Sequence, residues 1–565
     1  MKIKRTEKHH SSNITILKIN IFSVMASFLF WPVLAIGQGH NERVTIVGAY
    51  QPSLKDVQKI AVNPGETNLQ GEIGEQTYSN LGIRYQTQAS TSPIAYTQVR
   101  DDEKKEINRN FVDAAIGSNL SPVFNFRHRS RLTDKTLLDL GLGHWSTWVN
   151  IKDRAPSDRM HNQLHTGIQY DFSNQIWQND LTYNHDFLHY YGFKPSDFPD
   201  VRVKADSLLQ TYQRLGFTSR LKSNQTGKEV LNHDIAFRYR HFADDFRNIE
   251  QSITLSAGLK KDYAWFASNS RQFVGLNAAA SLFSADDSLA GWRGFYARLE
   301  PSIHFSGSFF ELTAALKGHL GDDTTTFFSL HPQLHGKLFV FDDRLQLYAG
   351  FGGDKILNTL EQNTLETPYL KPGAARWWTN TTHDFKAGIR TSLIPNLDFH
   401  IGIQTQKVLN GGFIINDSLS IFKHQLTFVH DDFSEFGFIA EAGYHQGDKI
   451  NALFQFGFDQ YKMEKLLKPW HKPSWHSTLD LSYRHDERWR FNSQLFLIGK
   501  RYAPTAASIR VLPTAFDLNL NATYQLNPIV GFYAKAANIL NNRYEIWDQY
   551  PVQGTQLFVG ATLKF

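Results

Sequence analysis

Histidine is the residue type that first suggests chemistry, because the chain contains 23 of them. His161 and His165 lie four residues apart, as do His185 and His189, a spacing that on a helix brings two rings together. On an extended strand the same spacing separates them by about 13 Å, so a metal site would need ligands from neighbouring strands. Serine and histidine are scattered without a nucleophile motif, and no glycine-rich phosphate loop precedes a helical pattern. The sequence therefore predicts no enzyme, no cofactor and no metal site.

The composition favours a membrane barrel over a soluble enzyme. Aromatic residues make up 14% of the 565 residues, yet the mean hydropathy is −0.38. This combination is typical of strands that alternate between lipid-facing and polar lumen-facing positions. The 59 basic and 54 acidic residues are too evenly balanced to indicate a nucleic-acid partner. The absence of cysteine excludes disulfides and thiolate metal sites.

The N-terminus predicts a signal peptide over residues 1–37. Basic residues precede a charge-free segment, Ile21–Ile36, and small residues around Gly37 suit cleavage after Gly37 or Gln38. The alternative is an anchor helix, which Pro32 and several polar residues weaken. No later run of about 18 apolar residues occurs. If the mature chain spans a membrane, it must do so as a closed barrel, because only helices and barrels satisfy their own backbone hydrogen bonds in lipid.

Alternation with a period of two predicts the strands. In the last segment Leu557, Val559, Ala561, Leu563 and Phe565 share one face, and Gln556, Gly560, Thr562 and Lys564 share the other. Residues 163–172 and 516–524 alternate in the same way. Such segments recur along the chain and indicate an all-β fold, a transmembrane antiparallel β-barrel.

Turn signals predict the number of strands. Both ends of such a barrel lie in the periplasm, so ten short periplasmic turns join eleven hairpins, giving about 22 strands. The count closes only if the strand-like segment Ile421–Asp431 belongs to an extracellular excursion. The turns are Thr133–Lys135, Ser173–Asn174, Ser223–Lys228, Ser268–Ser270, Ser306–Gly307, Asp342–Asp343, Pro395–Asn396, Gln446–Lys449, His485–Arg488 and Leu526–Pro528.

The longer connections should face outward. They carry many aromatic residues, including Trp377, Trp378 and Trp547, which we expect in the interfacial girdle or, alternatively, in contact with a ligand. These connections are Tyr191–Ser207, Gly353–Trp378, Leu409–Ser434, Met463–Ser474, Tyr502–Pro513 and Asn538–Gly554.

The segment between the signal peptide and the barrel, residues 38–109, is too short for a plug domain. It has about 70 residues, whereas a typical domain has about 100 or more. The charged run Arg100–Lys105 suits a solvated hinge. A barrel of this size has a lumen that wall side chains do not fill. Either this segment, inward-turned outer connections or a partner must narrow the pore.

Six groups of residues resemble the barrel of TonB-dependent receptors, specifically members without a plug. The resemblance extends from about Phe111 to the end of the chain. It rests on Asn184–Gly192, Gly352–Asp354 with Pro368–Leu370, Trp470–Pro473, Gly499–Ala503, Asn538–Tyr544 and Pro551–Gly554. A receptor of this family carries a globular plug of its own, for which this chain has no room.

Near the N-terminus, Glu42–Gly48 resembles a TonB box, the extended segment that pairs with TonB by strand addition. Its central residues are Arg43, Val44, Thr45, Ile46 and Val47. The alternative is a β-prone stretch of a disordered N-terminus. Leu563 and Phe565, which end the last strand, suit the C-terminal signal for barrel insertion.

Together these features predict a protein of the cell outer membrane with residues 110–565 as the barrel. The first hypothesis is a channel or uptake protein for a nutrient. The alternatives are a non-transporting structural subunit of an outer-membrane complex and a partial receptor whose plug comes from another chain. Expected partners are outer-membrane lipid, the barrel-insertion machinery, and TonB or a surface lipoprotein or plug-bearing protein, but no nucleic acid.

Overall fold

A computed structural model describes residues 109–565 except 201–203, 225–229, 264–270, 287–290, 322–326, 342, 374–375, 418–424 and 506–507. Within these residues, 22 antiparallel strands pair in chain order and form one sheet. They are β1 (Asn110–Gly117), β2 (Ser121–Thr133), β3 (Thr136–Thr147), β4 (Arg159–Asp171), β5 (Gln175–His189), β6 (Leu209–Ser223), β7 (Leu231–Asp244), β8 (Ile249–Tyr263), β9 (Arg271–Asp286), β10 (Gly291–Ser306), β11 (Phe310–Gly321), β12 (Phe328–Val340), β13 (Leu345–Asn358), β14 (Trp377–Ile394), β15 (Leu397–Asn416), β16 (Leu426–Gln446), β17 (Ile450–Met463), β18 (Trp475–Arg484), β19 (Trp489–Ile498), β22 (Ala515–Gln525), β23 (Val530–Ala537) and β26 (Gln556–Lys564).

The sheet closes on itself, because β1 also pairs with β26. The pairing runs from Phe111 opposite Lys564 to Gly117 opposite Phe558. Two backbone hydrogen bonds between Asn110 and Phe565, of 2.6 and 3.0 Å, complete the closure. Each of the 22 described wall strands therefore pairs with a neighbour on both sides, as a barrel in lipid requires. The predicted fold class and the count of 22 strands are confirmed.

The alternation of side chains explains why this sheet is a membrane barrel. On β12, Leu330, Leu334 and Leu338 are each about half exposed on the outer face, whereas His331 and Gln333 are buried on the lumenal face. The same alternation places Leu557 and Val559 of β26 outward. An apolar belt surrounding a polar lumen is the arrangement of outer-membrane barrels. The protein is thus an outer-membrane β-barrel.

The connections alternate between the two ends of the barrel. All ten predicted turns fall between successive wall strands at the end that holds both chain ends of the barrel, although some of their residues lie outside the described part. The opposite end carries the long connections, two of which contain short hairpins, β20 (Arg501–Pro504) with β21 (Ile509–Leu512) and β24 (Glu545–Trp547) with β25 (Tyr550–Pro551). The structure also contains one α-helix among its described residues, α1 (Leu360–Glu366). None of the described helices is long and apolar enough to cross a membrane.

One predicted loop is largely strand. The sequence predicts Leu409–Ser434 as an outer connection, with the strand-like Ile421–Asp431 in an extracellular excursion. Instead, β15 continues to Asn416 and β16 begins at Leu426, and Gly411–Asn416 pair with Leu426–Asp431. The strand-like character of this segment lengthens two wall strands and adds none, so the count is unchanged. The predicted signal peptide, 1–37, and the extension up to residue 108 lie outside the described residues.

Candidate functional site at the outer mouth

Connections from around the outer rim share one buried apolar core, which we call the cap. It joins the connections β3–β4, β5–β6, β13–β14 and β23–β26 to the outer ends of wall strands that include β15 and β16. Strands β5 and β15 are ten apart in a ring of 22, so a core that joins their ends crosses the mouth. Among the three predicted ways to narrow the pore, the structure shows inward-turned outer connections. The core consists of Ile151, Ala155, Leu188, Tyr190, Tyr191, Phe193, Leu208, Tyr212, Phe242, Leu360, Tyr369, Leu370, Ile414, Leu426 and Tyr550.

Tyrosines form the centre of the cap. The rings of Tyr369 and Tyr550 stack with centroids 4.1 Å apart, and Tyr191 packs edge-on against both. The Tyr191 hydroxyl donates to the Pro551 carbonyl at 2.9 Å, and Tyr190 donates to the Leu370 carbonyl at 2.7 Å. Each of these bonds links two different connections. Burial raises the pKa of Tyr369, so its ring remains neutral in the core.

A glycine lets the cap close. A Cβ atom on Gly192 would lie 2.5 Å from the ring of Tyr550, too close for any real side chain. Only glycine allows the β5–β6 connection to approach the β23–β26 connection at this point. This residue ends the predicted motif Asn184–Gly192.

His471, in the β17–β18 connection, fixes a second contact between connections. Its Nδ1 donates to the Ile414 carbonyl at 2.7 Å, and its Nε2 accepts from the Asp548 amide at 3.0 Å. These two partners require a neutral ring with its proton on Nδ1. Burial, with help from the cations Arg501 and Lys472, lowers the pKa of His471 to about 4. The ring therefore stays neutral at physiological pH.

Arg501 links the β19–β22 connection to the β23–β26 connection through hydrogen bonds. Its side chain is 1% exposed, and Nη1 donates to the carbonyls of Glu545 at 2.8 Å and Ile546 at 3.2 Å. Arg154, from the β3–β4 connection, donates to the Gln549 carbonyl at 2.9 Å and pairs with Glu545 at 3.2 Å. Two arginines from distant parts of the chain thus hold the β23–β26 connection in place.

Beside the cap, a recess lies between the lumenal faces of β7–β10 and the β13–β14 connection. It encloses about 1310 Å³, part of which is open to solvent. The Glu250 carboxylate on β8 accepts from the amides of Leu360 at 3.0 Å and Glu361 at 2.8 Å, and it pairs with Arg376. Glu250 therefore holds the start of α1 against β8. Arg214 on β6 adds a hydrogen bond of 2.9 Å to Thr364.

The recess carries more positive than negative charge. Among the described residues that line it, five are basic and three are acidic. Asp354 also pairs with Lys317 at 3.0 Å and His319 at 3.1 Å, both outside the lining. The arrangement suits binding of a solute by charge and hydrogen bonds. The basic residues are Arg238, Arg240, Arg298, Lys355 and Arg376, and the acidic ones are Glu250, Asp354 and Glu361.

The histidines singled out in the sequence do not converge. His161 contacts Asp186 at 2.6 Å and His189 contacts Asp158 at 3.3 Å, each across neighbouring segments of the wall. The Nε2 atom of His165 lies 3.9 Å from Oδ1 of Asp180. Among the described residues, no group of three or more His, Cys, Asp or Glu side chains could hold a metal ion.

The remaining predicted residues have mixed outcomes. Arg43–Val47 lie outside the described residues. Leu563 lies in β26 and Phe565 directly follows that strand; they are 38% and 58% exposed. Of the tryptophans for which the sequence predicts the girdle or a ligand contact, Trp377 is buried against Phe428 and His430, and Trp547 packs against Tyr369 of the cap.

The sequence did not predict that Glu250 and Arg214 contact the β13–β14 connection. The partner of a charged residue on the lumenal face of a strand cannot be identified from the local sequence. The residues of the cap did leave a signal. Each of the six segments on which the family resemblance rests contributes buried residues to the outer connections or to the strand ends beneath them, including Tyr191, Tyr369, Trp470, Arg501 and Tyr544.

Comparison with known proteins shows a likeness in fold without a likeness in sequence. No family profile and no curated protein matches the chain. Among solved structures, the siderophore receptor PirA from Acinetobacter baumannii superposes with a TM-score of 0.66 at 9% identity, covering 83% of this chain and 82% of the receptor. The ferric-catecholate import receptor Fiu from K12 E. coli, in its closed form, gives 0.61 at 9% identity with 83% of each chain covered. PirA from Pseudomonas aeruginosa gives 0.58 at 11% identity, with 83% and 82% covered.

The barrel has the fold of siderophore receptors. The resemblance to TonB-dependent receptors is thereby confirmed for the architecture of the barrel. At 9 to 11% identity the likeness concerns the fold alone.

Proposed function

We propose that the protein takes up a nutrient across the outer membrane and that the recess holds the solute on its way in. The observation that carries this proposal is the recess itself, a charged and partly open space at the outer end of the lumen, beside the cap. Ligand sites in proteins are concave and carry a few convergent polar groups, as this recess does. The shared fold with siderophore receptors supports the same function.

A second function, that of a non-transporting structural subunit, is favoured by the dry core of the cap. Tyr190, Tyr369 and Tyr550 are each at most 3% exposed, and a core this well packed would seal the mouth.

Flux measurements separate the two functions. We expect the purified full chain in liposomes to admit small solutes, or to do so once the cap is loosened by Leu370→Ala. Absence of flux in both proteins would contradict uptake and support the structural subunit. A stable partner recovered from detergent extracts would then be expected, and a plug-bearing partner would indicate the partial receptor.

We further propose that Glu42–Gly48 pairs with TonB by strand addition, which depends on backbone hydrogen bonds. Ile46→Pro removes one backbone donor and should abolish co-purification with the periplasmic domain of TonB. Ile60→Pro is the matched control and should bind normally. Equal binding by both variants would contradict the assignment.

The N-terminal extension is proposed to add to the narrowing of the pore. Deleting residues 40–105 leaves β1 intact and should increase the conductance of the barrel in a planar bilayer. An unchanged conductance would refute this contribution.

A further inference from the structure

The charge of the recess indicates what it binds. With five cations against three carboxylates among its described lining residues, it attracts anions and repels cations. Two of the carboxylates already have partners, because Glu250 pairs with Arg376 and Asp354 pairs with Lys317. Arg238, Arg240, Lys355 and Arg376 also interact with other groups of the protein. The argument for an anion therefore rests on the excess of positive charge in one volume.

The uncharged residues that line the recess indicate which other groups the anionic ligand has. Small hydroxyl side chains cover the wall of the recess on β8 and β9, where bulkier residues would fill it. The Thr254 and Ser281 hydroxyls lie 2.8 Å apart and span the two strands. Hydroxyl and amide groups donate and accept hydrogen bonds and so match a ligand that carries several hydroxyl groups. The inward-facing members of this group are Ser252, Thr254, Ser256 and Ser281.

Aromatic rings bound the recess beside these polar groups. Trp292 and Phe283 lie with ring centroids 6.4 Å apart, and Tyr296 follows on the same strand as Trp292. A flat apolar face next to hydroxyl groups suits the face of a saturated ring whose edges are polar.

We propose that the recess binds a hydroxylated small molecule that carries an oxyanion, either a carboxylate or a phosphate. This inference rests on the proposed function, since it names the class of solute that the barrel would take up. Arg298 on β10 is the residue best placed to test it, because it lines the recess beside Tyr296 and points into the lumen from the middle of the cationic wall. Arginine binds both carboxylate and phosphate through paired N–H donors.

The test is binding to the purified full chain in detergent, measured by isothermal titration calorimetry. The probes are gluconate and glucose 6-phosphate as the two oxyanions, with glucose and glucosamine as neutral and cationic counterparts of similar size. We expect one or both oxyanions to bind, neither counterpart to compete, and affinity to fall as salt increases. Binding of gluconate alone identifies a carboxylate, and binding of glucose 6-phosphate alone identifies a phosphate.

Variants tie the binding to the recess. Arg298→Gln should weaken oxyanion binding by about ten- to a hundred-fold, the usual range for losing a hydrogen bond to a charged group. Arg390→Gln is the matched control, because Arg390 points into the lumen from β14, lies over Tyr348 and does not line the recess. Thr254→Val keeps the charge and should weaken binding several-fold by removing a hydroxyl. Heat-modifiable gel mobility shows that each variant forms the barrel.

The outcomes overturn different claims. If glucose binds as well as gluconate and glucose 6-phosphate, or if Arg390→Gln weakens binding as much as Arg298→Gln, the inference is wrong. If no oxyanion binds although liposomes admit solutes, the inference fails and uptake stands. If an oxyanion binds in the recess but no flux occurs with the native or cap-loosened chain, uptake fails and the site stands.

Discussion

The cap and the recess are neighbouring regions built from the same β13–β14 connection, yet they have opposite chemistry. The connection gives Tyr369 and Leu370 to the cap, where both are at most 3% exposed. A few residues earlier it gives Thr359 and Glu361 to the recess, beside the charged lumenal wall. One connection thus contributes both to the closure of the mouth and to the boundary of a polar volume.

The difference shows how polar atoms are used in each region. In the cap, tyrosine hydroxyls donate to carbonyls of other connections, such as Tyr190 to Leu370 and Tyr212 to Pro368. Polar groups that are satisfied within a buried network fix its geometry and leave little for a ligand. In the recess, charged and hydroxyl groups face an open volume. We therefore assign closure to the cap and recognition to the recess, and the two should respond separately to mutation.

The largest expected effect comes from removing a side chain at the centre of the cap. Leu370→Ala should destabilise the packing of the outer connections by about 2–5 kcal/mol, because it leaves a cavity at a residue that is 1% exposed. Limited proteolysis of the outer connections and conductance in a planar bilayer should both increase, while heat-modifiable mobility stays unchanged.

The matched control is Leu467→Ala in the β17–β18 connection, where the leucine is 78% exposed. Its effect should stay within about 0.5 kcal/mol, since surface substitutions rarely exceed this. Equal protease sensitivity of the two variants would show that the cap does not depend on its apolar core.

Acidification should weaken the cap through His471. The pKa of this residue is about 4 in the folded protein, below the value of about 6.5 for an unfolded histidine. As pH falls, the unfolded chain takes up a proton on this histidine before the folded chain does. The stabilisation that neutral His471 gives to the folded state is therefore complete above pH 6.5. It is lost as pH falls towards 4, by about 3 kcal/mol in total. Proteolysis of the outer connections should therefore accelerate between pH 6.5 and 4.

His471→Gln tests the origin of this pH dependence. Glutamine can offer a donor to the Ile414 carbonyl and an acceptor to the Asp548 amide but does not titrate. The variant should lose most of the acceleration seen in the native chain. An identical pH profile in both would assign the effect to other groups.

The wall of the barrel could be predicted from the sequence because alternation and turn residues, which define the strands, can be recognised within short segments. The alternation from Leu557 to Phe565 places side chains on two faces whatever the rest of the chain does, and turn residues such as Asp134 mark where strands reverse. The strand-like segment 421–431 is not counted among the 22 strands, and its described part from Leu426 onward extends β16 and forms no further strand. Local pattern does not tell whether a strand is new or continues its neighbour.

The cap and the recess depend on pairings that no local pattern encodes. Tyr191 and Pro551 are hydrogen-bonded although 360 residues separate them, and Glu250 meets Leu360 across 110 residues. The motifs Asn184–Gly192 and Pro551–Gly554 carry the resemblance to a family, but only closure of the barrel brings them together. The sequence also did not show which rings would lie in the girdle, because the burial of Trp377 against Phe428 and the packing of Trp547 against Tyr369 are consequences of tertiary contacts.

The smallest effect should arise at Glu250, which holds α1 against β8 and so sets the width of the recess. Glu250→Gln removes the charge that pairs with Arg376 and weakens two hydrogen bonds to the amides of Leu360 and Glu361, a loss of about 1–3 kcal/mol. Hydrogen exchange at these two amides should accelerate about ten- to a hundred-fold. Glu311→Gln, which breaks the 2.8 Å contact with Lys337 elsewhere in the lumen, should leave exchange at both amides unchanged.

Proteolysis of the cap should also be unchanged in Glu250→Gln, because Tyr369 and Leu370 keep their own contacts. If the cap loosens together with α1, the two regions form one cooperative unit, and closure and recognition are coupled through the β13–β14 connection.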